Sequence, residues 1–168
     1  MAPIRIERAD DSRIAAFRDV RERDLVGRLG LFVAEGAVVL RSLVAPTSLC
    51  DIEAVLIDER RQAALADVET VLAGRAPVYS ASQGLLDEIA GFPLHRGILA
   101  MGRVPPSVGL DAAVGRGPTT VLVISGVGNH DNMGALMRNA AAFGVDAVVL
   151  DDGCCDPFYR KALRVAVG

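Results

Sequence analysis

The sequence is poor in cysteine and histidine, and this scarcity excludes several classes of protein. The three cysteines are Cys50, Cys154 and Cys155. An odd number with two adjacent members does not suit a disulfide framework and fits a reducing compartment. The only histidines, His95 and His130, are far apart, and no CxxC pair occurs, so we expect no metal site.

Long apolar runs are also missing. No stretch approaches the roughly 18 consecutive apolar residues that a membrane helix needs. The N-terminus is charged from Arg5 onward and lacks the apolar core of a signal peptide. The sequence therefore predicts a cytoplasmic protein that makes no membrane contact.

Lysine is nearly absent, since 17 of the 18 basic residues are arginine. The net charge is −3, so the chain as a whole is not basic, although arginine suits bidentate contact with phosphate. Arg160, Lys161 and Arg164 lie in a C-terminal segment without acids. With 51% hydrophobic residues, the chain has ample material for a packed core, which excludes disorder as the main state.

Strand and helix patterns alternate over the first hundred residues. Asp10, Asp11 and Ser12 are candidate N-caps for a helix that runs towards Arg28. A second helix is expected after Asp58, with its apolar positions at helical spacing. The remaining predicted elements are strands over 31–34, 52–57, 77–80 and 97–104 and helices over 37–44 and 82–90. This alternation predicts an α/β domain over residues 1–104.

A change of composition divides the chain. Residues 105–118 hold three prolines and three glycines, which predicts a linker. The pattern then restarts as a strand over 119–125, a helix over 132–143 and a strand over 145–150. These three elements form one βαβ unit, expected to have parallel strands, within a second domain over 119–168.

The loop after the first strand of this unit reads GVGNHDNMG. Ligands of open α/β sheets gather at the carboxyl ends of strands, where helix N-termini attract anions. Asp131 or Asn132 is expected to cap the helix, and Arg138 is expected to reach back over Gly134 towards Asn132. The dinucleotide-binding fingerprint GxGxxG is excluded, because Asp131 stands where that pattern requires its third glycine. From spacing alone, a ligand site and a tight turn with a solvated arginine both remain open.

The following helix and strand carry a recognisable pattern. NMGALMRNAAAFGVDAVVL resembles the first motif of the SpoU/TrmH family of SPOUT RNA methyltransferases, with the asparagine, glycine, arginine and Phe-Gly in place. DPFYRKALRVAVG resembles that family's next segment. FVAEGAVVL and HRGILAMG are similar to its N-terminal substrate-binding domain. The resemblance thus covers nearly all of the chain, most strongly from residue 119.

The resemblance implies a fold and an activity. The fold would be a small RNA-binding α/β domain followed by the first half of an α/β trefoil-knot domain. Family members transfer methyl from S-adenosylmethionine to a ribose 2′-hydroxyl of rRNA or tRNA, and a homodimer is expected. The family's cofactor motifs would lie beyond Gly168, so we expect either a fragment of a longer enzyme or a remnant.

The resemblance also implies residue roles. Arg138 would be the catalytic arginine and Asn132 the polar residue beside it. Arginine is almost always protonated, so it suits the orientation of a phosphate or hydroxyl and the stabilisation of alkoxide charge. Five further residues are candidate RNA contacts, although solvated surfaces would look the same: Arg160, Lys161, Arg164, His95 and Arg96. Phe158 and Tyr159 would either stack on a base or pack internally.

Two functions of other classes compete with the enzyme. One is a non-catalytic RNA-binding module of the kind found in ribosomal proteins, attached to a stub. The other is a generic nucleotide-binding α/β domain. Glu35 and Gly36 are interpreted structurally, as the end of a strand before a helix.

Overall fold

The chain forms two β-sheets with helices around them. A computed structural model describes residues 2–18, 25–114 and 117–167. The strands are β1 (Ile4–Arg5), β2 (Leu31–Glu35), β3 (Asp51–Asp58), β4 (Val78–Ala81), β5 (Ile98–Arg103), β6 (Val121–Ile124) and β7 (Ala147–Leu150). The α-helices are α1 (Ala37–Val44), α2 (Ala66–Leu72), α3 (Gln83–Ala90), α4 (Leu110–Val114), α5 (His130–Ala142) and α6 (Arg160–Ala166). Over these described ranges, no helix combines the length and apolar character needed to cross a membrane.

The first sheet is mixed and has the strand order β1-β4-β3-β5-β2. β1, β4 and β3 are parallel, whereas β5 is antiparallel to both β3 and β2. Four of the five strands match the predicted ones within about two residues, while the two-residue β1 was not predicted. The α/β fold class is therefore confirmed.

Both faces of this sheet are covered, which explains its long apolar strands. On one face α1 and α2 pack through a cluster that includes Leu40, Leu43 and Val68. On the other face α3 packs with an N-terminal segment through Leu86 and Ile14. The middle strands β3 and β5 supply buried residues to both clusters.

The helix predicted from the Asp10–Ser12 caps to Arg28 is wrong in its first part. Asp11 does act as a cap, but it begins a 3-10 helix, Ser12–Phe17, and Arg18 is already extended. Ile14 and Phe17, spaced three residues apart, are both buried in the core. Ile14 itself has non-helical backbone angles, φ −110° and ψ 15°, so the segment is kinked and does not continue as one α-helix. The predicted continuation over 19–24 lies outside the described residues, and a π-helical turn follows at Leu25–Leu29.

The segment after Asp58 forms two helices in succession. Asp58 accepts a hydrogen bond from the Arg60 amide at 2.9 Å and begins a 3-10 helix, Glu59–Leu65, before α2. The predicted single helix is therefore wrong. The predicted linker likewise contains the short helix α4, while its residues 115–116 lie outside the described part of the chain.

The second sheet consists of β6 and β7, which are parallel as predicted. α5 covers one face of it through the buried Met133 and the partly buried Leu136 and Met137. Helical spacing predicts Phe143 on the same apolar face as Met133, but it is 84% exposed. α5 ends at Ala142, and Phe143 is its C-cap.

The two sheets are joined by α6, which packs against β2, the edge strand of the first sheet. The ring of Phe158, just before α6, lies 5.1 Å from that of Phe32 in β2. At the other end of α6, the Ser42 hydroxyl donates a hydrogen bond to the carbonyl oxygen of Val167 at 3.1 Å. Of the two interpretations of Phe158, stacking on a base or internal packing, the structure therefore favours internal packing.

Candidate active site

The loop between β6 and α5 is anchored by Asp151, which follows β7. Its carboxylate accepts hydrogen bonds from the Gly126 amide at 3.0 Å, the Gly153 amide at 3.1 Å and the Ser125 hydroxyl. These donors, the Gly126 amide foremost, lower the pKa of Asp151 to about 2. Asp151 thus ties together the two loops at the carboxyl ends of β6 and β7, which is where an open α/β sheet places its ligand site.

The N-cap of α5 is Asn129, and the prediction of Asp131 or Asn132 is wrong. The Asn129 side-chain oxygen accepts a hydrogen bond from the Asn132 amide at 3.0 Å. Asp131 lies instead in the first turn and pairs with Lys161 at 2.7 Å. Asparagine is as good an N-cap as aspartate, so propensity alone did not distinguish these positions.

α5 and α6 approach each other closely at Gly134. A Cβ atom at Gly134 would lie 2.4 Å from the carbonyl oxygen of Ala162 and 2.8 Å from the Cβ of Val165. The glycine is therefore covered by α6. The predicted path of Arg138 back over Gly134 is wrong, because α6 occupies that space.

Arg138 instead lines a cleft of about 330 Å³ between α5, β7 and α6. It is the charged residue among apolar neighbours such as Met137, Leu150 and Leu163. Its side chain is exposed, as is that of Asn132. Within the described ranges, no hydrogen bond or ion pair engages the Arg138 guanidinium, and none joins it to Asn132.

The basic residues of α6 differ in their surroundings. Arg160 pairs with Glu35 at 2.9 Å and lies 4.1 Å above the ring of Phe92. Because the Glu35 side chain is only 7% exposed, this pair is an internal contact between α6 and the first sheet. Lys161 is half-exposed beside Asp131, and Arg164 is exposed.

His95 and Arg96 lie in the turn before β5, far from α5 in the sequence. Both are exposed, and both line a cleft in the first sheet's half of the molecule. The structure thus brings together two separate groups of the predicted site residues. Arg138 and Asn132 lie on α5, against which α6 and its basic residues pack, whereas His95 and Arg96 line the other cleft.

Sequence reasoning did not identify the partner of Glu35 or the ring contact between His130 and Tyr159. The rings of His130 and Tyr159 lie 5.0 Å apart, at the adjoining N-terminal ends of α5 and α6. A buried acid at the end of a strand needs a cationic partner, which was the available signal for Glu35. The identity of that partner, 125 residues away, depends on the fold.

Neither Cys50 nor Cys155 carries an activated thiol. Burial raises the pKa of both Cys50 and Cys155, which disfavours the thiolate. Cys154 is half-buried, and its thiol lies 3.5 Å from the carbonyl oxygen of Ile124. Across the described part of the chain, no three His, Cys, Asp or Glu side chains are grouped to hold a metal ion.

Comparison with known proteins identifies the unit that carries this site. The model of the SpoU rRNA Methylase family matches residues 119–168. The matched range contains β6, α5, β7 and α6, and with them Arg138 and Asn132.

Curated relatives extend the similarity to the first sheet. An uncharacterised tRNA/rRNA methyltransferase of Mycobacterium tuberculosis is 44% identical over 95% of this chain and 55% of its own length. A 23S rRNA (guanosine-2′-O-)-methyltransferase of Bordetella pertussis is 36% identical over 79% of this chain and 55% of its own length. The chain thus spans about half the length of these relatives.

Solved structures share the fold. An rRNA methyltransferase from Sinorhizobium meliloti, bound to AdoMet, aligns with a TM-score of 0.78 at 15% identity, over 98% of this chain and 60% of its own. The SpoU methyltransferase AviRb from Streptomyces viridochromogenes, in complex with AdoMet, gives 0.69 at 21% identity, over 94% and 58%. The chain therefore shares its α/β fold with these solved structures.

The described residues do not by themselves fit S-adenosylmethionine. The cleft beside Arg138 is lined mainly by apolar side chains, with no carboxylate or amide to bind the ribose and methionine groups of that molecule. Asp151, which follows β7, is already engaged by three donors.

Proposed function

We propose that this chain is part of a cytoplasmic, S-adenosylmethionine-dependent RNA methyltransferase that modifies a ribose 2′-hydroxyl of rRNA or tRNA. The observation that carries the proposal is Arg138. It stands on the family's helix, exposed at the edge of a cleft, with no ionic partner within the described residues. The names of the curated relatives, which cover about half of each protein, support the same reaction class.

The chemistry of Arg138 follows from its permanent charge. A guanidinium cannot readily accept a proton, so its role is to orient a phosphate or the hydroxyl and to stabilise the developing alkoxide. A guanidinium without an internal carboxylate partner retains its full charge for this task. Asn132, exposed in the first turn of α5, supplies a neutral amide at the mouth of the same loop.

A homodimer is part of the proposal. The second sheet exposes Val123, at 69%, and Phe143 at the end of α5 is 84% exposed. Apolar groups grouped in this way are typical of surfaces that another chain or segment covers. Sedimentation analysis of the longest form that the reading frame encodes tests this, and a monomer there would contradict it.

The catalytic role is tested by Arg138→Ala in that same longest form. Removing one charge-stabilising donor is expected to lower methyl incorporation into RNA by about 100-fold or more. The melting temperature should stay unchanged, because Arg138 is exposed. The exposed Arg75, in the turn after α2, provides a matched control: Arg75→Ala should retain activity.

The cofactor requirement is tested on the 168-residue chain. Isothermal titration is expected to show weak or no binding of S-adenosylmethionine, because the described residues form only part of a pocket. Micromolar binding would show that the pocket lies within this chain. RNA binding without any methyl transfer in the longest form would favour the non-catalytic RNA-binding module instead.

A further inference from the structure

Two side chains at the junction of the sheets, Phe158 and Leu163, each line two clefts. One is the cleft that Arg138 also lines, which we call the Arg138 cleft. The other, of about 380 Å³, is also lined by Phe32 of β2 and by side chains of α1, and we call it the intersheet cleft. Phe158 and Leu163 both pack against the first sheet's core cluster. The first sheet therefore supports one wall of the Arg138 cleft, although Arg138 itself lies on α5.

Arg160, which lies between these two residues in the chain, makes a charged contact across the junction. Its Nη1 atom lies 2.9 Å from Oε2 of Glu35 at the end of β2, and its Cζ atom lies 4.1 Å from the ring centre of Phe92. The Glu35 side chain is only 7% exposed, and that of Arg160 is 30% exposed. Separating a charge buried to this degree from its partner is costly. The ion pair therefore favours one position of α6 against β2.

The surroundings of Arg160 favour this internal contact over contact with RNA. Its guanidinium donates to a buried carboxylate and lies against a ring, so an RNA phosphate would have to displace Glu35. Lys161 and Arg164, on the same helix, are exposed instead. The contacts of Arg160 thus direct its charge into the junction rather than towards solvent.

We propose that Arg160 is a positioning residue that fixes α6 through its two partners and thereby sets the shape of the Arg138 cleft. The inference rests on the proposed function, in which the Arg138 guanidinium acts on the RNA. Phe158 lies two residues before Arg160 and Leu163 three residues after it, so a shift of Arg160 moves both side chains of the wall. A misplacement of about 1 Å at a reacting site costs up to about 100-fold in rate.

The functional test compares Arg160→Met, Glu35→Gln and their double variant in the longest form that the reading frame encodes, at a temperature at which circular dichroism shows every variant folded. Each single variant should lower kcat for methyl incorporation by about 10- to 100-fold and leave KM for RNA unchanged. The double variant should lose no more than either single variant, because all three break the same contact. Its stability should recover in part while kcat stays low. Recovery of kcat together with stability would reduce Arg160 to a structural role and overturn the proposal.

Glu35→Gln separates positioning from phosphate contact. Removing this acid takes no cation away from RNA and would free Arg160 to bind a phosphate, so an RNA-contacting Arg160 predicts a fully active Glu35→Gln variant. That result would overturn the proposal. So would a raised KM in Arg160→Met with the slope of log K against log salt reduced by about 0.7–0.9, the loss expected for one phosphate contact.

The exposed ion pair between Arg103 of β5 and Glu53 of β3, at 2.7 Å, provides the matched control. Neither residue lines the Arg138 cleft or the intersheet cleft. Arg103→Met and Glu53→Gln should therefore leave kcat and KM unchanged. Equal losses of kcat in this control pair would overturn the proposal, because they would show that any ion pair of the first sheet has the same effect.

A spectroscopic test on the 168-residue chain needs no methyl transfer. The methyl resonances of Leu163 report on the packing of the wall that the two clefts share. Arg160→Met and Glu35→Gln should both shift these resonances, whereas Arg103→Met should not. Unmoved Leu163 resonances in the first two variants would overturn the proposal. A wild-type longest form without methyl transfer would instead refute the proposed function, and the Leu163 resonances alone would then support or overturn the positioning by Arg160.

Discussion

Replacing Gly134 with alanine is expected to separate α5 from α6 and to loosen the unit that carries Arg138. The added Cβ would lie 2.4 Å from the Ala162 carbonyl oxygen, where contacts below 3.0 Å essentially never occur. The two helices must therefore move apart by about 0.6 Å at that point. A backbone carbonyl cannot rotate away as the end of a side chain can.

The expected magnitude is a balance of two effects. Alanine gains up to about 1 kcal/mol over glycine in helix propensity. Overpacking costs typically about 1–3 kcal/mol, and a backbone neighbour places this site towards the upper end. The net expectation is a loss of about 1–2 kcal/mol in the free energy of unfolding of the second-sheet unit.

Gly84, in the first turn of α3, is the matched control. It is also a helical glycine, but no atom lies within 4 Å of a Cβ added there. Gly84→Ala should therefore be neutral or stabilising by up to about 1 kcal/mol. Urea unfolding followed by circular dichroism gives the free energies, and hydrogen exchange over residues 130–142 locates the change. Equal stabilisation by both substitutions would refute the close approach of α5 and α6.

Three further predictions concern an ion pair, a loop-anchoring carboxylate and the segment between the two sheets. Arg160→Met removes the ion pair of the buried Glu35 and should cost about 3 kcal/mol in the free energy of unfolding. The double variant with Glu35→Gln should recover part of this loss in a double-mutant cycle. The pKa of Asp151 is lowered from 3.8 to about 2, so the contribution of its carboxylate to stability is complete above about pH 4 and is lost as the pH falls towards 2. The amide resonance of Gly126 should shift in that window, and Asp151→Asn should abolish the shift. We propose that residues 105–118 link two domains, over 1–104 and 119–168. Limited proteolysis should therefore cut there first, and earlier cleavage within 31–104 would argue for one domain.

Local patterns in the sequence determined much of the fold. The bounds of α1 agree because Gly36 before it and Pro46 after it mark both ends within a few residues. The parallel pairing of β6 and β7 follows from a strand, a helix and a strand in succession, since a crossover helix brings the two strands side by side. The motif around Arg138 was also visible, because its residues are close together in the chain.

Sequence patterns were least informative in segments that favour a helix but do not specify which type of helix forms. The segment around Ile14 and the one after Asp58 contain helix-forming residues, yet both form 3-10 helices. In the first segment, Ile14 is fully buried with non-helical backbone angles, so tertiary packing outweighs intrinsic propensity. Propensity predicts that a helix forms there, but core packing decides which kind.

Only the tertiary structure decided what surrounds the candidate site residues. Gly134 suggested open space for Arg138, but α6 returns to fill it, 28 residues later in the chain. Glu35 and Arg160 are 125 residues apart, and Arg61 meets Arg96 at one cleft from separate elements. A sequence specifies such neighbours only through the packing of whole elements, because contact between distant residues depends on where the intervening strands and helices place them.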